Sequence, residues 1–412
     1  MRHHMKICFS VILFGVSAAL YTAETPIESL PESLRVNAKI IENERDGLWE
    51  KSLVVTFPET RKTLSTTEGF GHARAAINHA AHPFLWEQVS KTFLGKDGNG
   101  GKRYIAHIHE QIARALKLDR STLATMGTAA DMDNLAVVTR KYGPFVVTAL
   151  VTAGAKTNAI RTGVDEGTHI ETPHGTINIL LLTNARLTEG AMARAIVTLT
   201  EAKTAALEDL KVPSSYTKTA QATGTGTDSV IVVSGVSGPE VSYTGGHSRI
   251  GELIGKAAYH AVIEALGKQN GFLLPGAPPF VTPNRLREQE VVAAAEQWLT
   301  VVDAGDAPSI LEAWGAASAL LHQTEDRKVW SDALESAYSG LGKNTARKMS
   351  RNLHTRALPG LPVDEYMLVE FESHFENQSN IIETITCRKD GDGVWRVLRY
   401  SLKRQDENGK TT

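Results

Sequence analysis

The feature that most constrains the fold is an alternation, over residues 51–266, of short β-branched runs with alanine-rich amphipathic stretches. This pattern is typical of a sheet covered by helices. Three runs are largely apolar at successive positions, as in strands buried on both faces: residues 145–151, 177–182 and 230–233. We therefore predict an α/β fold for this part of the chain, with the sheet and the helices in layers.

Helical spacing is clear in two places. Residues 189–207 form one helical stretch. In the other, one apolar face contains Ile250, Leu253, Ile254, Ala257, Ala258, Ala261 and Ala265. Gly267 follows that face, and glycine readily adopts the left-handed conformation that ends many helices. The second helix is therefore expected to end at Gly267.

A change of composition separates the C-terminal part of the chain. Residues 270–284 contain four prolines and two glycines, which cannot sustain a helix, so we predict a linker over residues 269–286. Three or four strands end the chain, and they follow three helical stretches at residues 288–304, 307–321 and 325–341. Helices followed by hairpins indicate an α+β domain. The predicted domains are therefore residues 50–268 and a smaller domain over residues 287–405.

The first residues have the form of a secretory signal peptide. Basic residues precede an apolar run at residues 7–20, which ends in small residues. This run is shorter than the roughly 20 residues that a helix needs to cross a bilayer. We expect cleavage of residues 1–19 and a periplasmic or secreted mature protein without a membrane span; an uncleaved membrane anchor is the alternative. Cleavage would remove Cys8 and leave Cys387 without a disulfide partner.

The overall charge is close to neutral, with 44 lysines and arginines against 46 aspartates and glutamates. Such a balance provides no general electrostatic attraction to nucleic acid or to an anionic membrane. We therefore expect no nucleic-acid partner, and homo-oligomer formation is left open.

The densest group of unusual residues is Gln-Ala-Thr-Gly-Thr-Gly-Thr-Asp at residues 221–228. The candidate substrate-binding residues within it are Thr223, Gly224, Thr225, Gly226 and Thr227, followed by Asp228. Alternating glycine and threonine lets the backbone approach a ligand closely, and supplies hydroxyl and N–H groups that can bind amides or an oxyanion. The segment is not a phosphate-binding loop, because it lacks Gly-Lys-Ser/Thr and leads into a strand. A glycine-rich turn with a strand-capping aspartate is the alternative.

A second candidate is the polar stripe formed by Arg194, Thr198 and Glu201 on the helix of residues 189–207. Because the other sides of this helix carry apolar residues, the stripe faces either solvent or a pocket. Glu201 becomes a candidate general base for water attack on an amide only if burial raises its pKa.

Polar residues near strand ends form a third group of candidates, since α/β folds place their sites there. They are Thr152, Asn158 and Asn178. Each could equally serve a turn, because threonine and asparagine favour turns for backbone reasons.

Histidines offer a metal site as a further alternative. His107 and His109 would point to one side of a strand, but no carboxylates stand at a recognised ligand spacing, so a metal site is not favoured. A Ser-His-Asp triad stays open, although the sequence contains no Gly-x-Ser-x-Gly elbow.

Seven motifs occur in a fixed order, at residues 63–67, 126–130, 151–154, 175–178, 200–203, 222–228 and 251–255. Together they resemble the adenosylcobinamide amidohydrolase family, known as the CbiZ family, and the resemblance covers about residues 52–266. The C-terminal part, with Ala-Glu-Gln-Trp-Leu at residues 295–299 and Gly-Val-Trp-Arg-Val at residues 393–397, resembles DUF4019, a domain of unknown function. Its helices-then-sheet order is similar to the cone-like fold of nuclear transport factor 2.

The resemblance implies hydrolysis of the amide between the corrin propionyl group and aminopropanol, which yields adenosylcobyric acid in corrinoid salvage or remodelling. It also implies a corrinoid substrate and no separate cofactor, since cobalt enters only within the corrinoid. On this basis we expect Glu201 or Asp228 to supply acid–base catalysis, and the threonine and N–H groups around Thr223 and Thr225 to bind substrate. Two alternatives remain: an exported corrinoid-binding protein without hydrolase activity, and an amidohydrolase for a different amide.

Overall fold

The structure is a computed structural model, which describes residues 23–45, 47–86, 100–167 and 175–404. The predicted signal peptide over residues 1–19 lies outside this part. In chain order, the strands of the N-terminal part are β1 (Ala23–Pro26), β2 (Asn37–Arg45), β3 (Leu48–Ser65), β4 (Gly69–Ala81), β5 (Leu123–Thr128), β6 (Ala136–Tyr142), β7 (Phe145–Gly154), β8 (Ala159–Ile160), β9 (Thr176–Thr183), β10 (Arg186–Leu187), β11 (Gly224–Thr225), β12 (Ser229–Val233) and β13 (Glu240–Val241).

Nine of these strands form one curled sheet. Its strand order is β1-β2-β3-β12-β9-β7-β6, with β4 between β3 and β5. The first half of β3 pairs with β2, and its last residues pair with β12. Since β2 precedes residue 50, the sheet starts earlier than the predicted domain boundary. Side chains from both halves of the sheet share one apolar core, among them Val55, Ala124, Leu180 and Ile231.

Three helices cover the outer faces of the curled sheet: α1 (Gly100–Leu116), α2 (Glu189–Asp209) and α3 (Arg249–Asn270). Helix α1 packs through Ile108 and Ile112 on the half that contains β4 and β5. Helices α2 and α3 pack through Leu199 and Ile254 on the half that contains β7 and β9. These layers confirm the predicted α/β class. The predicted strands are apolar throughout because they lie between a helix layer and the inner core.

The expectation that helix α3 ends at Gly267 is wrong. The helix continues to Asn270 and is capped by Gly271, whose φ is 74°. A Cβ atom at Gly267 would lie 2.3 Å from the ring of Phe280. Glycine is therefore required at this position for close packing against the segment that follows the helix. The next helix begins at Pro283, so the connection spans residues 271–282 and is shorter than the predicted linker.

The expected strand through His107 and His109 is wrong, because both residues lie in α1. Residues two apart on a helix point about 200° away from each other, so the two rings do not share a side. His107 bonds to Gln111, whereas His109 bonds to Thr125 and to the Arg120 backbone. Among the residues that the structure describes, no group of three or more His, Cys, Asp or Glu side chains could hold a metal ion.

The C-terminal part has the predicted α+β order. Its elements are α4 (Pro283–Val302), α5 (Ala307–Gly315), α6 (Ala319–Thr324), α7 (Arg327–Leu341), β14 (Asn344–Thr355), β15 (Tyr366–Phe375), β16 (Ile381–Lys389) and β17 (Trp395–Arg404). The four strands form one antiparallel sheet in chain order. Residues 307–321 form two helices and not one, because Ser318 caps a new helix by accepting a hydrogen bond from Leu320 N. Within the described ranges, no helix is both long and apolar enough to cross a membrane.

Candidate active site

Polar side chains gather at one end of the curled sheet. Asn78, Thr128 and Thr152 lie near the ends of β4, β5 and β7. Asn178 lies near the start of β9, and Asp228 directly precedes β12. They meet because β9 runs antiparallel to β7 and parallel to β12, with Thr152 paired to Asn178 and Asn178 paired to Ser229. The predicted strand-end candidates therefore lie at the same end of the sheet.

The innermost of these residues form a buried network of amides and hydroxyls. Asn78 Nδ2 donates a hydrogen bond of 2.9 Å to Thr152 Oγ1, and Asn178 Nδ2 donates to Asn78 Oδ1 at 2.9 Å. Asn178 Nδ2 also donates to the Gly127 backbone oxygen at 2.7 Å. Thr152 and Asn178, both predicted substrate-binding residues, are fully buried. In this state they therefore hold the strand ends together, because their polar groups are used inside the protein.

Asn78 was not among the candidates from the sequence. The available signal was an asparagine and a histidine within an otherwise apolar, alanine-rich strand, at residues 75–81. A polar side chain in such a position requires a partner, because an unpaired buried amide is costly. The partner, Asn178, is 100 residues away in the chain, so only the pairing of the strands shows the network.

The glycine–threonine segment forms a loop anchored on Asn158. Strand β11, which begins this loop, pairs antiparallel with β8. Gly226 N donates a hydrogen bond of 3.1 Å to the Asn158 backbone oxygen. Asn158 has a left-handed backbone, with φ of 60°, and its Nδ2 donates to the Gly175 backbone oxygen at 2.9 Å. Tyr216, whose side chain is partly exposed, donates to Asn158 Oδ1 at 3.2 Å. Asn158 therefore connects three segments around the loop.

The two glycines of this loop are needed for close contacts. A Cβ atom at Gly224 would lie 2.5 Å from Asp228 Oδ2 and 2.7 Å from Lys203 Nζ. A Cβ atom at Gly226 would lie 2.8 Å from Asn158 Oδ1. Gly226 and Thr227 are exposed. The inner side of the loop is therefore tightly packed, whereas its outer side presents exposed backbone that a ligand can contact.

Asp228 is the acceptor that connects the loop to its surroundings. Its Oδ2 accepts hydrogen bonds from Lys203 Nζ and from Thr225 N, the latter at 3.1 Å. Its Oδ1 accepts from Thr225 Oγ1 and from Ile177 N. The side chains of Lys203 and Asp228 are 12% and 15% exposed. Asp228 thus caps the start of β9, and it also forms a partly shielded carboxylate–ammonium pair beside the hydroxyl of Thr225.

Lys203 is a site residue that the sequence reasoning missed. It lies on α2, two residues after Glu201, within one of the seven motifs. Its partner Asp228 is 25 residues away in the chain, so no local spacing signals the pair. The remaining loop hydroxyls bond nearby backbone groups: Thr223 Oγ1 donates to the Ile160 oxygen at 3.3 Å, and Thr227 Oγ1 to the Gly175 oxygen at 3.2 Å.

The predicted polar stripe on α2 does not form a pocket wall. Arg194 is exposed and lies over the ring of Tyr243 at 5.5 Å. Thr198 is buried and donates to the Thr244 backbone oxygen at 3.0 Å. Glu201 is exposed, and its carboxylate has no hydrogen bond or ion pair with any residue that the structure describes. Glu201 therefore lacks the burial on which its candidacy as general base depended.

A second polar chain is buried on the other face of β3 and β4. Ser52 Oγ contacts His79 Nδ1 at 2.8 Å, His79 Nε2 contacts the Tyr104 hydroxyl at 3.0 Å, and that hydroxyl donates to Glu50 Oε1 at 2.6 Å. Burial lowers the pKa of His79 to about 4. Ser52 is only 4% exposed, beneath α1, so this chain of hydrogen bonds is a part of the interior.

The loop of residues 223–228 supplies hydroxyls, open backbone and a carboxylate, and α2 supplies the ammonium of Lys203. Such groups suit an enzyme that binds and hydrolyses an amide. Comparison with known proteins agrees with that class. Residues 36–273, more than half of the chain, match the adenosylcobinamide amidohydrolase (CbiZ) family, and the chain belongs to this family. Residues 294–400 match DUF4019, a family of proteins of unknown function. Both resemblances seen in the sequence are confirmed.

Two relatives align with this chain over most of their own length. An uncharacterized protein of Methanocaldococcus jannaschii is 42% identical over 245 residues, which span 55% of this chain and 91% of the relative. An adenosylcobinamide amidohydrolase of Methanosarcina mazei is 31% identical over 189 residues, which span 40% of this chain and 84% of the relative. The family and the second relative support a role in amide hydrolysis on a cobinamide.

Proposed function

We propose that this protein hydrolyses the aminopropanol amide of adenosylcobinamide to adenosylcobyric acid, in corrinoid salvage or remodelling. The observation that carries the proposal is the loop of residues 223–228, where hydroxyls and exposed backbone surround the Asp228–Lys203 pair in a chain of this family. Corrinoids are broad molecules fringed with amides. Hydroxyl and backbone groups suit them better than a strongly charged surface does.

Acid–base catalysis is assigned to Asp228 in this proposal. Its carboxylate is partly shielded and lies beside Thr225, whereas Glu201 on the same helix as Lys203 is exposed. Glu201, two residues from Lys203 and therefore on a different side of α2, is the second candidate only through its place in the family motif of residues 200–203. Cobalt belongs to the substrate, and the proposed reaction uses no separate cofactor.

Purified protein without residues 1–19, mixed with adenosylcobinamide, tests the proposal. We expect release of aminopropanol together with a changed corrin absorption spectrum. A changed spectrum without release would support a binding protein, and no response of either kind would support an enzyme for a different amide. An Asp228→Asn variant is expected to bind the corrinoid with turnover lowered by about 100-fold or more.

Two further variants make this assay specific. Asp332→Asn, at an exposed position of α7, is the matched control and is expected to keep normal turnover. Glu201→Gln separates the two acid–base candidates. If Glu201→Gln abolishes turnover while Asp228→Asn retains it, the acid–base assignment moves to Glu201.

We also propose that the protein is exported and acts in the periplasm or outside the cell. The support is the signal-peptide pattern over residues 1–19. Amino-terminal sequencing of the protein from fractionated cells tests it: a mature chain that starts at residue 20 in the exported fraction is expected. A full-length chain in the membrane fraction would support the uncleaved anchor.

A further inference from the structure

We propose that Thr225 is the nucleophile of this amidohydrolase and that Asp228 and Lys203 activate it. The inference deepens the proposed function and rests on it. The observation behind it is a continuous chain of three groups: Thr225 Oγ1 donates a hydrogen bond to Asp228 Oδ1, and Lys203 Nζ donates to Asp228 Oδ2. A hydroxyl that points its proton at a fixed carboxylate has the geometry of an activated nucleophile.

The surroundings fix the orientation of this carboxylate. Thr225 N donates to Asp228 Oδ2, and Ile177 N donates to Oδ1, each at 3.1 Å. Together with Lys203, these donors hold the plane of the carboxylate so that Oδ1 faces the Thr225 hydroxyl. Lys203 is thus a positioning residue, because its bond to Oδ2 leaves Oδ1 to accept the proton of the Thr225 hydroxyl.

Access to the hydroxyl comes from the C-terminal side of Thr225, since Gly224 before it is buried. Thr225 stands between Gly224 and Gly226, and Gly226 and Thr227 are exposed. Thr225 itself is 5% exposed, so attack by its hydroxyl requires the loop to shift when a ligand binds over it. By contrast, Ser52 of the buried Ser52–His79 pair lies beneath a helix. The Thr227 N–H, 3.5 Å from Thr225 Oγ1, is a backbone donor near enough to bond an oxyanion formed at the attacked carbonyl.

The proposed reaction proceeds in two steps, formation of an ester on Thr225 and hydrolysis of that ester. In the first, Thr225 Oγ1 bonds to the amide carbonyl carbon, and its proton moves to Asp228. The carbon–nitrogen bond then breaks as nitrogen takes this proton, and aminopropanol leaves an ester on Thr225. In the second, water attacks the ester carbon and delivers a proton to Asp228. The bond to Oγ1 breaks, Oγ1 regains the proton, and the carboxylic acid leaves.

The test compares the wild-type protein with Thr225→Val, Thr225→Ser and Thr200→Val, using adenosylcobinamide. Thr200 is exposed on α2, and within the described part of the chain its hydroxyl bonds only to the preceding helical turn at Ile196, so Thr200→Val is the matched control. We expect Thr225→Val to bind corrinoid normally and to lose about 1,000-fold or more in kcat. Thr225→Ser, which keeps the hydroxyl, is expected to stay within about tenfold of wild type, and Thr200→Val within about twofold.

Trapping distinguishes an ester intermediate from direct attack by water. Acid quenching during turnover, followed by mass spectrometry, is expected to show a corrinoyl adduct on the peptide that contains Thr225. Hydroxylamine added to the assay is expected to convert part of the product to a hydroxamate. Full activity of Thr225→Val would overturn the inference and leave the proposed function in place. No aminopropanol release by the wild type would overturn both.

The positioning role of Lys203 is tested separately, by kcat, KM and the pH profile of kcat. Lys203→Met is expected to lower kcat with little change in KM and to alter the pH profile of kcat, and Lys203→Arg to restore part of the activity. Lys256→Met, at an exposed lysine of α3, is the control. A Lys203→Met variant with normal kcat and a normal pH profile would remove Lys203 from the mechanism.

Discussion

The side-chain amide of Asn178, in β9, donates a hydrogen bond of 2.7 Å to the backbone oxygen of Gly127, in β5. These two strands belong to different halves of the curled sheet and are not neighbours in it. The other proton of the same amide goes to Asn78 Oδ1, in β4. One buried side chain therefore holds together the strand ends beside the loop of residues 223–228.

Replacing Asn178 by aspartate is expected to destabilise the fold strongly. The new carboxylate would face two acceptor oxygens in a fully buried position, so we expect the free energy of unfolding to fall by about 3 kcal/mol or more. Urea unfolding followed by circular dichroism measures the change. Asn37→Asp, at an exposed position of β2, is the control and should change stability by less than about 0.5 kcal/mol. Equal stability of the two variants would contradict the role given to Asn178.

Gly224→Ala is expected to impair turnover more than it impairs folding. The added Cβ would displace Asp228 or Lys203, since both would otherwise lie within 2.7 Å of it. We expect kcat/KM to fall about 100-fold, with a loss of roughly 1–3 kcal/mol in stability from the crowding. Gly190→Ala, in the first turn of α2 with open space around it, is the matched control. Normal turnover in Gly224→Ala would show that the position of the Asp228–Lys203 pair does not matter.

Acidification is expected to destabilise the protein through buried histidines. Burial lowers the pKa of His82 to about 4, whereas its ordinary value is 6.5. Between these values the unfolded chain binds a proton that the folded chain does not, so the stability contributed by neutral His82 is lost as the pH falls. The loss is at most about 1.4 kcal/mol per pH unit for each such histidine.

His82→Gln isolates this contribution. Between pH 7 and pH 5 the variant should lose about 2 kcal/mol less than the wild type, as measured by urea unfolding at both pH values. His374→Gln, at an exposed histidine of β15, should behave as the wild type does. The same slope in all three proteins would show that His82 titrates normally in the folded state. Because His82 bonds to the His354 backbone, the variant also reports on contact between the two parts of the chain.

Loss of the Glu383 side chain is expected to unfold or strongly destabilise the C-terminal part. Glu383 is completely buried and accepts hydrogen bonds from Arg347, Ser373 and Tyr400. Glu383→Ala leaves the partly buried Arg347 guanidinium with half of its partners, which should lower the free energy of unfolding by about 3 kcal/mol in urea unfolding. Glu372→Ala, at an exposed position of the neighbouring strand β15, serves as the control. A loss below about 1 kcal/mol in Glu383→Ala would mean that Arg347 is satisfied by Asp303 alone.

Local pattern was sufficient for much of the fold. The runs at residues 145–151, 177–182 and 230–233 predicted strands because a chain that is apolar on both faces must lie between two layers. It failed for residues 100–116, where two histidines suggested a strand and the chain forms a helix. It also failed at Gly267, since a glycine that ends a helix and a glycine that admits a neighbouring ring look alike in sequence.

By itself, the sequence determined the class of fold, the order of helices and strands in the C-terminal part, and the family, because these follow from periodicity and from motifs close together in the chain. It also singled out the glycine–threonine segment and Asp228. Only the tertiary structure shows that Asp228 pairs with Lys203, that Asn178 bonds to Asn78 and that Glu201 is exposed. Burial and hydrogen-bond partners depend on residues brought together from distant parts of the chain, and no local pattern contains that information.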